Sequence, residues 1–594
     1  MYGMRINFSA LGAPKPNSPF QIPMSEAENT EVDKVISSFL QRKIIAITNS
    51  NDGYFSHLFT RPKKDGRIRT ILNLKGLNKH CRVTHFKMET IQNVKNMLEP
   101  GMYLASVDLQ DAFYSIPIHP TQTKFFKFLW NGQQYEFLRL PNGYCDASRV
   151  FTKVLKVPFA ILRQEGHLSV IYIDDSLLMG STYQLCAQNV SRTVQLLQSL
   201  GFTLNTSKCE LVPKQSAIFL GFKFDSVSMT IELTKDKKQR IFEMASVIAN
   251  NPHVPIRKLS SLLGNIVAAL PAIPYGKLNY RKIEAEKIEA LYENAFNYES
   301  YMLLSQEALT EIDWWRVNIM TQECSLAPTP PVDYTIFTDA SLQGWGAHDG
   351  HTTLNGRWSN WEKLFHINIL ELMAIKIAVT SLIKDTHIHI RIMSDNTTAI
   401  SYINKMGGVK SMIANDIAKD IWNSCIAHGA WISAAHVPGV ENDIADQASR
   451  QFQDHAEWML DNNLFQVICD RWGTPSLDMF ASRTNHKLDR YVSRYPDAEA
   501  YAVDCFSLDW YHEFPYLFPP FSSSLIWRIR TKIIQDEVDR AVLIVPNWVS
   551  QNWYPALMKM ARDHIVIPSS RLVLPGTEKK HPMAPKLKLL ALLI

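Results

Sequence analysis

A multidomain protein of mixed α/β and α+β class is predicted by three features of the sequence. Its 594 residues exceed what one core holds at about 100–200 residues per domain. Short apolar β-prone runs alternate with helical periodicity twice, from about Tyr54 to Phe224 and again from Tyr334 to about residue 452. Between the two lies the Pro cluster APTPPVD, Ala327 to Asp333, which stiffens the chain as a linker does.

Composition narrows the class further. With 46% hydrophobic and 20% charged residues the chain can bury several cores, which excludes wholesale disorder. No apolar run reaches the roughly 18–20 residues of a membrane span, and the opening MYGMRINFSALGAPKPNSPF lacks the layout of a signal peptide. The expectation is an intracellular protein, nuclear or cytoplasmic, with no membrane partner. Eight cysteines are scattered without a C-x-x-C pair, which argues against a zinc ribbon and a disulfide framework and leaves reduced, half-buried filler. A net charge of +5 does not by itself call for nucleic acid, so local clusters must carry that claim.

Taken in chain order, residues 1–30 mix Pro, Gly, Asn and Ser without periodicity and read as an N-terminal tether. The first helix is EVDKVISSFLQRKI, with Val32, Val35, Ile36, Phe39 and Leu40 on one face. Residues 31–226 then form the first mixed unit, with turn signals at Asp65-Gly66, Asn131-Gly132 and Asn142-Gly143. Residues 227–326 are mostly helical in pattern and read as a connector or clamp. The linker 327–333 precedes a second α/β unit, 334–453, and a third, 454–594, rich in Trp, Tyr and Pro.

Two groups of acids carry chemistry. In HLSVIYIDDSLLMG, Asp174 and Asp175 sit between two apolar runs, a strand, tight turn and returning strand. Adjacent like charges repel, and a divalent cation removes the conflict. Asp108 ends another apolar strand in MYLASVDLQDAFYSIPI, and a third carboxylate brought to within about 4 Å of the pair completes a two-metal site suited to phosphoryl transfer. Taken alone, a DD pair is usually a solvated turn. Here Tyr172-Ile173-Asp174-Asp175 and Asp108-Leu109-Gln110-Asp111-Ala112-Phe113 resemble the metal-binding motifs of reverse transcriptases. Further matches follow in that family's order: Arg61-Pro62-Lys63-Lys64-Asp65-Gly66 with Arg69 and Leu77-Asn78, then Leu140-Pro141-Asn142-Gly143, then Asn205 with Lys208-Cys209, then Phe219-Leu220-Gly221-Phe222.

The resemblance implies a right-hand polymerase with fingers, palm and a helical thumb/connection. Asp108, Asp174 and Asp175 would hold two Mg²⁺, with Mn²⁺ as a substitute. Lys63, Lys64 and Arg69 would grip the incoming triphosphate, consistent with Arg forks and Lys point charges on a basic hairpin. Phe113, beneath the incoming sugar, implies deoxynucleotides as substrate. Asn142 and Gly143 would line the nucleotide site, and Lys208 would protonate departing pyrophosphate. The sequence departs from the family at Asn73, Lys75 and Cys145-Asp146-Ala147-Ser148-Arg149, positions of finer contact with template and nucleotide.

The second group follows the linker. Asp339 in FTDAS and Asp395 in RIMSDN end strands, while Glu371 in ILEL and Asp446 in NDIADQASR lie on helices. Glu371 is the most telling, because it interrupts an apolar helix face where an unpaired carboxylate is costly. Order and setting resemble ribonuclease H, which implies a second pair of Mg²⁺ at these four acids, acting on an RNA-DNA hybrid, with His436 as a loop histidine aiding product release. Gly344, Gly346 and Ala347 fit the strand after Asp339 in that fold.

Asp-Thr-Gly and Asp-Ser-Gly protease signatures and integrase-like zinc spacing are absent, and no His-x-x-Arg recombinase box occurs. LPNGYCDASRVFTKVLK, ILNLKGLN and the layout after the second unit resemble DIRS-type retrotransposons, which implies a separately supplied tyrosine recombinase and a capsid-like protein as partners. The last unit resembles the tail of such proteins, likened to adenine methyltransferases through a Pro-Pro-aromatic turn, here Phe518-Pro519-Pro520-Phe521. Phe518 stands where that motif needs Asp or Asn, and no glycine occurs between Gly473 and Gly576, so no methyl transfer is expected. Arg528 and Arg530 could touch phosphate, and most aromatics of this unit are expected in its core. The function implied is an RNA-directed DNA polymerase with ribonuclease H activity, using RNA template, DNA primer and deoxynucleoside triphosphates. The alternative is a catalytically silent, retroelement-derived nucleic-acid-binding protein.

Overall fold

The computed structural model describes residues 3–62, 68–327, 330–383, 385–452, 458–497, 499–568, 571–575, 581, 583 and 587–594. Two compact units emerge. One comprises Met1–Ser246, Asn265–Pro274 and Arg316–Ala327; the other comprises Val247–Gly264, Tyr275–Trp315 and Pro328–Ile594. Among the described residues, no helix is long and apolar enough to cross a membrane.

At the centre of the first unit, an antiparallel sheet runs in the order Leu168–Tyr172, Asp175–Gly180, Tyr103–Asp108, Glu210–Lys214. Helices Ala147–Gln164 and Tyr183–Ser199 pack against it. The first buries Phe151, Leu155, Phe159 and Leu162, and the second buries Cys186, Val190, Thr193 and Leu197. Both sets recur at the three-to-four spacing that puts side chains on one helix face. The first helix of the chain spans Glu26–Gln41 and starts five residues before the stretch EVDKVISSFLQRKI. Ser25 caps it, and Glu28 closes a capping box.

The N-terminal segment is not a tether. Met4 bridges to Ile118 and Phe8 to Cys81, Met4 and Ile6 are buried, and Asn17 bonds both backbone groups of Phe55. Its scattered apolar residues lack a period because they fill gaps one at a time. Residues 227–326 likewise do not form one helical body. They include the strands Thr230–Leu233, His253–Pro255 and Tyr301–Leu303, and their helices are divided between the two units. Helical periodicity marks an apolar face without saying which core receives it.

In the second unit a five-stranded sheet has the order Thr353–Arg357, Gly344–His348, Tyr334–Ala340, His389–Ser394, Trp431–His436. The first three strands are antiparallel and the last two join in parallel. The helix Ile367–Leu382 packs across it and buries nine residues on more than one face, as expected of a helix enclosed on several sides. The helix Asp443–Arg450 crosses the sheet at Gly346, where a Cβ would lie 2.3 Å from the Ala445 carbonyl oxygen. Only glycine permits that approach.

A second sheet of this unit runs Leu477–Asp478, Pro515–Leu517, Val542–Pro546, Lys588–Leu593, Asp563–Pro568. Its first three strands are parallel and the last two pairings antiparallel. Asp478 also bridges in parallel to Tyr491, beside the pair Val492–Ser493 and Ala502–Val503. The chain thus leaves Leu477–Asp478 to one side and returns through Pro515–Leu517 on the other. Trp510, Trp553 and Tyr516 are buried here, so much of the aromatic content builds core.

Candidate active sites

The first acidic group is assembled by strand pairing. Asp108 and Asp175 are Cα partners across adjacent strands, and Asp175 also pairs with Tyr172 across the hairpin. The two-residue turn forces Ile173 to φ 55°, an unusual conformation for a β-branched residue of the kind found where structure over-determines a functional turn. The Leu109 amide donates to the Asp174 carbonyl at 2.9 Å, and the Asn205 amide donates to the Asp108 carbonyl at 2.8 Å. Burial, and then the charges of Asp108 and Asp174, push the Asp175 carboxyl up to about 6, against the opposing Leu220 amide and Lys208. Asp174 is also raised, mainly by burial, with Asp108 contributing.

The three carboxylates therefore share one field. As a set they do not meet the 4 Å expectation: among the described residues, the one trio of potential metal ligands lying within 4.8 Å of one another is in the second unit. Asp174 lies in the two-residue turn and Asp175 opens the returning strand, so the two neighbouring acids sit on different elements. Lys208 Nζ lies 3.7 Å from Asp108 Oδ2 and is largely exposed.

Phe113 packs edge-on against Phe151 at 5.7 Å. Asn142 donates to the Tyr114 hydroxyl at 3.1 Å, and Gly143 adopts φ 98° while its carbonyl accepts from Asn78 at 2.9 Å. Asn78 Oδ1 in turn accepts the Cys145 amide at 3.0 Å, so Leu77-Asn78 and the Pro141-Asn142-Gly143 turn form one hydrogen-bonded unit. Arg69 lies on the strand Ile68–Leu72, with Arg61 as its Cα partner. Lys63 and Lys64 lie outside the described residues.

Three of the four acids of the second group converge. Asp339, Glu371 and Asp395 bring ligand atoms within 4.8 Å of one another, the first two buried and the third exposed. Burial, followed by Asp339 and Asp395, pushes the Glu371 carboxyl up to about 9, and its Oε2 has no hydrogen-bond partner. An orphaned carboxylate oxygen between two other carboxylates is what a divalent cation would satisfy. Asp339 is raised to about 6, first by burial and then by Asp446 and Asp395, while Ser449 and Arg450 oppose the shift.

Asp446 stands apart from that trio. It is bound to Arg450, with Nη2 2.6 Å from Oδ1, and is partly exposed. One turn of helix brings Arg450 alongside it, and the close crossing at Gly346 keeps both near Asp339. His436 ends its strand opposite Ser394, beside Asp395, and is exposed.

Sequence reasoning missed several supports. Ser449 donates its hydroxyl to Asp339 Oδ2 at 2.7 Å, and Asn442 donates to the Thr338 carbonyl at 3.0 Å. In the first group, Cys209 Sγ accepts the Asp108 amide at 3.3 Å, and the Leu220 amide faces Asp175. The available signal was spacing: Ser449 follows Asp446 by three residues on a helix, hence on the same face.

Parts of the chain are similar to known proteins. Residues 61–224 match the family described as reverse transcriptase (RNA-dependent DNA polymerase), and residues 447–593 match DNA N-6-adenine-methyltransferase (Dam). The chain is 24% identical over 283 residues to the Pro-Pol polyprotein of simian foamy virus type 1, covering 48% of this chain and 23% of that protein. It is 28% identical over 214 residues to the Gag-Pol polyprotein of woolly monkey sarcoma virus, covering 34% of this chain and 12% of that protein. The chain thus spans less than a quarter of the length of these curated relatives. Among solved structures, a foamy viral protease-reverse transcriptase with double-stranded DNA is similar at 17% identity and TM-score 0.47, covering 73% of this chain and 74% of that one. One in complex with an RNA/DNA hybrid is similar at 15% identity and TM-score 0.47, covering 77% of this chain and 61% of that one. The chain therefore carries a reverse transcriptase domain related to retroviral and foamy virus Pol, followed by a C-terminal domain similar to Dam methyltransferases.

Proposed function

We propose that this protein copies RNA of a DIRS-type retrotransposon into DNA and degrades the RNA of the resulting hybrid. The observation that carries the double activity is the convergence of Asp339, Glu371 and Asp395 in a chain that also holds a reverse transcriptase domain. The residues present fit Mg²⁺ or Mn²⁺ at Asp339, Glu371 and Asp395, where the Glu371 Oε2 is without a partner, with Asp446 as the fourth acid nearby; Asp108, Asp174 and Asp175, which share one field, would hold ions once drawn together by them. When bound, the ions supply Lewis-acid stabilisation of the attacking and leaving oxygens. Around the first group, Lys208 offers a proton donor beside Asp108, and Phe113 presents an aromatic wall to the incoming sugar. Lys63, Lys64 and Arg69 bind the triphosphate, and the Asn142-Gly143 turn, tied to Asn78, shapes the floor of that site. At the second group, buried Asp339 and Glu371 face exposed Asp395, leaving one open side for the hybrid backbone, with His436 at its rim.

The partners follow: RNA template, DNA primer, deoxynucleoside triphosphates, an RNA-DNA hybrid, a tyrosine recombinase and a capsid-like protein of the same element. Primer extension on an RNA template with Mg²⁺ tests the polymerase, and hybrid cleavage tests the nuclease. Asp175→Asn abolishes extension and Asp395→Asn abolishes cleavage while leaving extension intact. Wild-type protein that extends no better than Asp175→Asn refutes the polymerase reading and favours the silent nucleic-acid-binding protein.

A further inference from the structure

A cavity of about 770 Å³ in the second unit is used by neither acidic group. One wall comes from the first sheet and its helix, including Trp345, Ile377 and Ser381; the other comes from the loops that follow Leu477–Asp478, Val492–Ser493 and Pro515–Leu517. Those loops leave the carboxyl ends of parallel strands, at the point where the chain passes from one side of Leu477–Asp478 to the other. Open α/β sheets bind ligands at such a switch point, and the volume is that of a nucleotide-sized site. Trp345 and Ser381, 7% and 5% exposed, line this space, and Trp345 Nε1 and Ser381 Oγ have no hydrogen-bond partner.

Similarity to Dam methyltransferases implies a sulfonium methyl donor here, and the residues do not fit one. The loop after Leu477–Asp478 reads Met479-Phe480-Ala481-Ser482-Arg483, with no glycine to let backbone amides approach a cofactor. Phe518 offers no acceptor for an adenine amine. Four guanidinium groups, of Arg357, Arg483, Arg494 and Arg528, line the cavity, a poor setting for a cationic sulfonium. Arg483 is paired with Glu362 at 2.6 Å. Arg494 and Arg528 have no carboxylate partner among the described residues and lie over aromatic rings, Arg528 3.7 Å from the Phe506 centroid and Arg494 5.3 Å from that of Tyr495. The lining carboxylates are already engaged: Asp497 accepts from the Tyr491 hydroxyl and the Glu499 amide, and Asp504 from the Phe506 amide.

We infer that this cavity binds a phosphate-bearing nucleotide, with Arg494 and Arg528 on the phosphate and the aromatic residues against the base, in place of a methyl donor. Guanidinium forks suit phosphate, and arginine-backed aromatic faces suit any base. The nucleotide is either a free monophosphate or the 5′-phosphorylated end of a single strand.

Calorimetric titration of the full chain in EDTA, which silences cation-dependent binding at the acidic groups, tests this with AMP, CMP, a 5′-phosphorylated trinucleotide, the same trinucleotide with a 5′-hydroxyl, adenosine and S-adenosylmethionine. Phosphorylated probes are expected to bind at least about tenfold more tightly than adenosine, the 5′-hydroxyl strand and S-adenosylmethionine. Tighter binding of the trinucleotide than of AMP and CMP assigns a strand end; equal binding assigns the free nucleotide. Arg494→Gln with Arg528→Gln abolishes the phosphate preference while primer extension persists. Should the double variant fold poorly, photolabelling of wild-type protein with 8-azido-AMP gives the answer, with the label expected in peptides spanning residues 479–497 or 504–528. S-adenosylmethionine binding as tightly as AMP, an unchanged phosphate preference in a folded double variant, or label confined to other peptides overturns the inference.

Discussion

The Ser449 hydroxyl donates to Asp339 Oδ2 across 2.7 Å, linking the helix Asp443–Arg450 to the end of the strand Tyr334–Ala340. Both residues are buried, so the bond fixes one carboxylate of the cluster and the helix that carries Asp446. Ser449→Ala leaves a buried carboxylate oxygen without its donor and is expected to lower stability by about 1–3 kcal/mol. Urea denaturation measures that loss, and hybrid cleavage should then need more Mg²⁺ for half-maximal rate.

Divalent ions should stabilise the protein through the Glu371 cluster. At a tenfold excess over Kd, binding to the folded state alone contributes about 1.4 kcal/mol. Differential scanning calorimetry with and without Mg²⁺ reads the gain. Asp395→Asn, which removes one ligand and one repelling charge, should raise the midpoint in EDTA and shrink the Mg²⁺ response; an unchanged response would disconnect this cluster from cation binding.

Glu311 provides a pH signature away from both acidic groups. It is 3% exposed, its Oε2 accepts the Lys282 and Ile283 amides at the start of the helix Arg281–Glu293, and Lys419 lies 3.6 Å from Oε1. Burial raises its carboxyl to about 7 despite these partners. A folded pKa above the unfolded value contributes stability that is complete below about 4.5 and is lost as pH rises through about 7. Glu311→Gln, which keeps an acceptor and cannot ionise, should flatten that decline, with the difference from wild type changing by on the order of 3 kcal/mol between pH 4 and 8.

Gly346→Ala tests the crossing that holds Asp446 in place. Its Cβ would lie 2.3 Å from the Ala445 carbonyl oxygen and 2.6 Å from the Ala448 Cβ, so the helix must move. A loss of about 1–3 kcal/mol is expected, together with weakened hybrid cleavage and intact primer extension.

Phe113→Ala should admit ribonucleotides. Removing the ring is expected to raise ribonucleotide incorporation relative to deoxynucleotide by at least about tenfold, read as the ratio of kcat/KM values in single-nucleotide extension.

The sequence by itself determined the chemistry-bearing elements. Alternating apolar runs around Asp174-Asp175 and a carboxylate within the apolar helix around Glu371 specify where each acid sits along its element, because strand and helix periods are local properties. Tertiary structure decided which acids meet. Asp108 faces Asp175 through a strand register set by nonlocal pairing, and Asp339, Glu371 and Asp395 close up while Asp446 is engaged by Arg450. It also set Met4 and Ile6 of the opening segment into a core and divided the helices of 227–326 between two units. Those outcomes depend on which surface offers a complementary partner, and that is a property of the folded chain as a whole.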